Sequence, residues 1–278
     1  MVKIRGVELE ENLNNSMGLQ FFNLSHRYGF QSPNWPYFQD VNIERIHYMA
    51  KSGVLSQRIT TTMHQTTHID APAHVVQGTP FIDEVPLPHF FGSGLVVSIP
   101  KEKWEQITAD DLEKACGHAI RPHDVLIINT GWHKFYEDGD YFAYCPGLVP
   151  SAGQWMIDKQ IKVVGHDTQA NDHPLATAIG PQRNGPLLPH LAEEYKEWSG
   201  GVDWKEAFPD WEPVHNMLFR AGILGIENVG GDLDAVTGKR CTFAYFPWNW
   251  DRGDGCIIRL VAMIDPNGTY KMETGETF

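Results

Sequence analysis

The chain has 278 residues, 42% hydrophobic and 21% charged, the balance of a soluble globular protein with enough sequence for one large core. Its net charge of −13 argues against nucleic acid and against anionic membrane surfaces, both of which call for a basic face. No run of about eighteen apolar residues offers a membrane span. The opening MVKIRGVELEENLNNSMG holds no apolar signal-peptide core. The four cysteines are scattered without a CxxC pair, so the expectation is a cytoplasmic protein with free thiols.

In chain order, short β-branched runs predict strands at 19–25, 54–62, 94–99, 125–129, 161–165, 223–227 and 256–264. Between them, Thr108 followed by Asp110 and Asp111 caps a helix that Gly117 closes. Ser151 and Gln154 read as a capping box for a helix reaching Gln160. Pro213 opens a third helix, ending near Gly222. Strands and helices mix without strict alternation, which predicts α/β architecture: a single domain over 1–278 with a mixed β-sheet and flanking helices. Residues 181–213, rich in Pro, Gly, Trp and acidic residues, read as an inserted excursion, either a lid or subunit contact or a surface loop with its own short helix.

The segment His64–His74, HQTTHIDAPAH, carries the chemistry. It holds three histidines where the overall frequency of 13 in 278 gives about half of one. His64, His68, Asp70 and His74 are all even-numbered, so extended backbone turns them to one face, and Pro72 forbids an uninterrupted helix. The expected picture is a strand delivering His64, His68 and Asp70, followed by a turn at Ala71-Pro72 that brings back His74. Imidazole and carboxylate without thiolate suit a catalytic rather than a structural divalent metal: zinc, manganese or ferrous iron.

HQTTHIDAPAH resembles the HxGTHxDxPxH signature of the cyclase-like metal hydrolases, which include bacterial kynurenine formamidase, isatin hydrolase and related lactone and lactam hydrolases. The resemblance extends along most of the chain. Asn23-Leu24-Ser25-His26 is similar to the family's opening DLSH, and Asn129-Thr130-Gly131-Trp132 to its RTGW. Gly165–Asp172 is similar to GxDTxSxD, and His215-x-x-Leu218 with Ile226-Glu227-Asn228 to HxxLL…ILENL. Three positions depart from the pattern. Thr66 stands for Gly, which suggests a slightly different backbone path; Ala170 stands for Ser; and Asn129 stands for Arg, with a consequence for substrate charge.

The resemblance implies a swivelling β/β/α fold and a metal-activated water that cleaves a non-peptide C–N or C–O carbonyl bond in a cyclic amide, lactone or aryl formamide. It implies one or two Mn2+ or Zn2+ ions. His64, His68 and Asp70 hold the first, and Asp70 bridges to a second completed by His74, His215 and Glu227. With one ion, His74 and Glu227 become catalytic proton carriers. From the residues alone, Glu227 at the end of an apolar strand needs a partner, which a metal or an arginine would supply. A metal-dependent lyase or cyclase, and a non-catalytic metal-binding protein, are the alternative functions.

The aromatic residues Trp35, Tyr37, Trp132, Phe246 and Trp248 are the expected pocket for a flat small-molecule substrate. Asp167 and Asp172 read as turn-stabilising. The resemblance also implies a homodimer or homotetramer.

Overall fold

The computed structural model describes residues 17–30, 32–182 and 186–278, and ahead of them the backbone of the Val2–Ile4 and Val7–Leu9 strands. Nine strands form a curled mixed sheet. Their spatial order is Gly255–Ile257, His68–Asp70, Leu224–Glu227, Val163–His166, Val125–Asn129, Phe91–Ser98, Arg240–Ala244, Val261–Ile264 and Gln20–Asn23. The four consecutive strands from Leu224–Glu227 to Phe91–Ser98 are parallel, and all other pairings in this sheet are antiparallel.

The parallel centre is buried on both faces, as the unbroken apolar run Val125–Ile128 requires. Alternate residues serve two cores. Val125 and Ile127 join Leu24, Ile69, Val163, Ile226 and Phe243 on one face. Leu126 and Ile128 meet Leu112, Ala152, Met156, Val214 and Leu218 of three helices on the other. Those helices are Ala109–Cys116, Pro150–Asp158 and Pro213–Arg220. The sheet with its helical layer is the expected α/β fold.

The Thr108 cap forms as predicted, its hydroxyl accepting from the Asp111 amide while Asp111 returns the bond. The Ser151 capping box does not form. The Pro150–Asp158 helix begins two residues earlier, with Val149 as its N-cap and proline in its first position, and Ser151 Oγ instead accepts from the Ala109 amide of the neighbouring helix at 3.3 Å. The strand expected at 256–264 is two strands lying at opposite regions of the sheet, joined by a crossing segment whose Leu260 amide donates to Ser25 Oγ. The strand expected within 54–62 is Ser56–Thr60, which pairs with Asn42–His47 in a separate hairpin.

The excursion at 181–213 is a packed unit. Its Leu191–Trp198 and Trp204–Ala207 helices bury Leu191, Tyr195, Trp204 and Phe208 against Trp104, Leu175 and Ile179. Residues 183–185 of the excursion lie outside the described residues. All four cysteines are buried free thiols. No described helix is long and apolar enough to cross a membrane.

Candidate metal centre

Glu227 ends one parallel strand at its carboxyl edge, the side of an α/β sheet where ligands bind. His68–Asp70 pairs antiparallel with that strand, in a register that sets His68 opposite Glu227 and Asp70 opposite Gly225. His68 and Asp70, two apart, point to one face, with Ile69 between them in the core. His64 comes from an irregular segment ahead of the strand, not from the strand itself. His74 ends the Pro72–His74 turn of 3-10 helix, and His215 lies in the first turn of the Pro213–Arg220 helix.

These six side chains converge. His64 Nδ1 lies 2.7 Å from Asp70 Oδ1, and His215 Nε2 lies 3.0 Å from Glu227 Oε1. His68 Nε2 lies 3.3 Å from both Asp70 Oδ1 and Glu227 Oε2, and His215 Nε2 lies 3.7 Å from Asp70 Oδ2. Ligand-type atoms group as His64, His68 and Asp70, as Asp70, His215 and Glu227, and as His64, His74 and Asp254. Asp70 belongs to the first two sets, as a bridging carboxylate would. His74 falls in the third set, not with His215 and Glu227.

The donor set fits a divalent cation. His68 Nδ1 donates to the Thr66 carbonyl at 2.8 Å, which fixes the ring and leaves Nε2 facing two carboxylates. Nε2 is buried there without a hydrogen-bond partner. A bare nitrogen lone pair between two carboxylate oxygens is repulsive unless a positive charge lies among them.

The field of the site says the same. Burial pushes the His68 imidazole down, but the carboxylates of Asp70 and Glu227 outweigh it and raise it to about 10. His64 is likewise lowered by burial and carried up to about 9 by Asp70 and Asp254. Burial and the charge of Asp70 push the Glu227 carboxyl up, yet the adjoining His215 and His68 rings hold it below the ordinary carboxylate range.

Three contributors were not assigned a place here from sequence. Asp254 accepts from His64 Nε2 at 2.9 Å and lies 3.7 Å from His74 Nδ1, half exposed at the mouth. It sits in an Asp-Arg-Gly-Asp-Gly loop that reads as an ordinary turn. The Asn171 amide donates to Glu227 Oε1 at 2.9 Å. Asp172 accepts from His215, so it orients a cluster residue as well as a turn. Asp167 does hold a turn: it accepts from Thr130 and His133.

A cavity of about 250 Å³ opens over the cluster, lined beyond it by Trp35, Phe38, Phe142, Gln169, Trp211 and Glu212 among others. Trp35 is the one expected aromatic found there. Tyr37 is largely exposed and its hydroxyl donates to the Leu187 carbonyl. Trp132 is buried in a separate cluster, its indole donating to the Tyr141 carbonyl. Phe246 and Trp248 lie exposed, packing near Phe90 and Trp250 respectively. Aromatic residues near turns were indistinguishable by type; which turn meets the cavity is a tertiary fact. Asn129 is also away from the cavity, donating to Asp234 and Thr237. Thr66 adopts a left-handed backbone with φ 53°, a conformation that suits the glycine of the signature.

The curled mixed sheet and its histidine–carboxylate cluster define an α/β protein built around a candidate metal site. Residues 22–173 match the profile of the Cyclase family, described as "Putative cyclase", and the chain belongs to that family. It is 24% identical over 218 residues to an isatin hydrolase of Roseibium aggregatum, covering 72% of each chain. It is 26% identical over 231 residues to an uncharacterised protein of Methanocaldococcus jannaschii, covering 83% of this chain and 94% of that one. Isatin hydrolase A from Labrenzia aggregata, bound to benzyl benzoate, shares the fold with a TM-score of 0.70 at 20% identity, covering 91% of this chain and 96% of that one. A protein from Bacillus stearothermophilus described as a "predicted metal-dependent hydrolase" gives a TM-score of 0.62 at 22% identity, covering 89% and 98%.

Proposed function

We propose that this protein is a metal-dependent hydrolase that cleaves a non-peptide C–N or C–O carbonyl bond of a small molecule. The observation that carries the reading is the buried, unpartnered His68 Nε2 between Asp70 and Glu227, at the floor of an aromatic cavity. His64, His68 and Asp70 would hold one divalent ion, Mn2+ or Zn2+, and Asp70, His215 and Glu227 a second. Bound there, the ion supplies Lewis acidity toward a carbonyl and lowers the pKa of nearby water.

The chain's own groups divide the remaining work. Glu227 is tied by His215 and Asn171, which suits it to hold and orient rather than to carry protons. His74 is partly exposed at the mouth and not locked by a short hydrogen bond, so it is the group placed to move a proton between the cavity and solvent. Asp254, between His74 and His64, steers both rings. Trp35, Phe38 and Phe142 offer flat apolar walls and exclude water from the floor.

The relatives named as isatin hydrolases support hydrolysis as the reaction class. The test is to measure bound metal in the purified protein and screen formanilides, isatin, lactones and lactams with added Mn2+ or Zn2+ in 18O-labelled water. Hydrolysis places one labelled oxygen in the product. Turnover without label would instead make the protein a lyase or cyclase, and no turnover by the fully metallated protein would sink the reading.

We further propose that the protein self-associates. The Asn42–His47 and Ser56–Thr60 hairpin stands apart from the main sheet and exposes Ile46, Tyr48, Met49, Val54, Leu55 and Ile59. A lone two-stranded hairpin with apolar residues in water is marginal without a partner surface.

A further inference from the structure

A second cavity, of about 480 Å³, shares one residue with the metal floor: Thr66 lines it, while the Thr66 carbonyl receives His68 Nδ1. Its walls are the segment leaving the Gln20–Asn23 strand, through Tyr28, and residues 257–259 of the crossing segment. The His26 amide donates to Thr67 Oγ1 at 2.9 Å and the Ile258 amide to the Thr67 carbonyl at 3.1 Å, so both walls hang from one buried residue. The cavity is therefore built on fixed backbone, which lowers the ordering cost of taking up a ligand.

The charge of this cavity runs against that of the chain. The protein has 35 acidic and 22 basic residues, yet Arg27 and Arg259 line the cavity and no acidic residue is among its described lining. Arg259 Nε donates to Asn23 Oδ1 at 2.6 Å, which fixes the guanidinium at the wall. Asp232 accepts from the Asn23 backbone amide at 2.9 Å, but neither arginine forms an ion pair among the described residues. The DLSH pattern that residues 23–26 resemble has aspartate where this chain has Asn23. A carboxylate at that position would neutralise Arg259, whereas the amide leaves its charge standing.

We propose that this second cavity binds a small organic carboxylate, gripped by Arg259 and Arg27, with its apolar body against Tyr28, Ile257 and Ile258. A guanidinium presents paired N–H donors that match the two oxygens of a planar carboxylate. The isoleucines and the tyrosine ring favour an anion with an aryl or alkyl body over inorganic phosphate. The site does not depend on what the metal cavity does. A hydrolase of the proposed kind releases a carboxylate, however, so on that reading the cavity would hold a ligand of the product's own class, touching the residue that orients His68.

The test is calorimetry of the Mn2+-loaded protein with benzoate, benzamide and inorganic phosphate at low ionic strength. Benzoate should bind at least about tenfold more tightly than its neutral counterpart benzamide, and more tightly than phosphate. Asn23→Asp supplies the carboxylate from within the chain, and Arg259→Gln removes the charge. Each should weaken benzoate binding about tenfold or more while bound metal and circular dichroism stay unchanged. His68→Ala, which disrupts the metal floor, should retain benzoate binding. Loss of binding in His68→Ala would place the anion on the metal and overturn the proposal. So would no benzoate binding, equal affinity for benzamide, tighter binding of phosphate, or binding untouched by Asn23→Asp and Arg259→Gln. The expected benzoate pattern without turnover in the 18O screen would retain this inference and remove the hydrolase reading. Turnover without that pattern would do the reverse.

Discussion

Asp172 grips His215 twice: Oδ2 accepts from the His215 backbone amide at 2.9 Å and from its Nδ1 at 2.6 Å, while Oδ1 accepts from the Val214 amide at 2.8 Å. One fully buried carboxylate thus caps the Pro213–Arg220 helix and fixes the tautomer of a cluster histidine, leaving Nε2 to face Glu227. Asp172→Asn keeps an acceptor but loses charge and one of these bonds. We expect metal affinity to fall about 10–100-fold with the fold retained. Metal titration followed by circular dichroism checks this, and undiminished affinity would refute the orienting role.

His68→Ala should remove bound metal to below half of the wild-type stoichiometry. The same variant should abolish the rise in melting temperature on adding Mn2+ or Zn2+, because a ligand stabilises only the state that binds it. His47→Ala, on the remote hairpin, is the control and should leave both unchanged. Equal metal content in His68→Ala and wild type would contradict the assignment.

Thr66 holds a left-handed φ of 53° beside the carbonyl that receives His68 Nδ1. That strain costs a β-branched residue about 1–3 kcal/mol, while glycine adds about 0.5–1 kcal/mol of chain entropy to the unfolded state. Thr66→Gly should therefore leave stability unchanged or raise it by up to about 2 kcal/mol, and keep metal binding. A loss above about 2 kcal/mol in urea unfolding would show that the threonine side chain itself is needed.

Burial pushes His173 down to about 3, against a weaker opposing bond to the Trp104 carbonyl. Its neutral ring donates from Nε2 to that carbonyl, accepts the Leu175 amide at Nδ1, and stacks on Phe208. Above the ordinary histidine range both folded and unfolded states carry the neutral ring, so stability is intact. As pH falls from about 6.5 toward 3, the unfolded chain takes up a proton that the folded chain refuses, and stability drops by about 1.4 kcal/mol per unit. Urea midpoints at pH 7 and pH 5 should show a steeper acid loss for wild type than for His173→Asn; matching slopes would disprove it.

Ile46→Lys combined with Ile59→Lys should yield a smaller species by light scattering, with the main sheet intact by circular dichroism. An unchanged mass would place self-association elsewhere or nowhere.

The sequence made the cluster legible because four of its six expected members fall within eleven residues with even spacing, and the other two followed from the resemblance. The even-spacing argument was right for His68 and Asp70 and too simple for His64, whose segment bends before the strand begins. The central strands were visible as apolar runs. Arg240–Ala244 was not, because its arginine, cysteine and threonine interrupt the pattern; Arg240 is buried through paired bonds to Asp124. Asp254 carried no local signal, since it sits in a turn-like loop.

His68 and Glu227 are register partners on neighbouring strands 159 positions apart in the chain, and Asp70 is placed by the same ladder opposite Gly225. A slip of one residue would turn either set to the opposite face. His64, His68 and Asp70 are local in the chain, whereas Asp70, His215 and Glu227 meet only once the two strands pair in this register. Uptake of a second metal equivalent by a refolding chain is then a clock for that pairing.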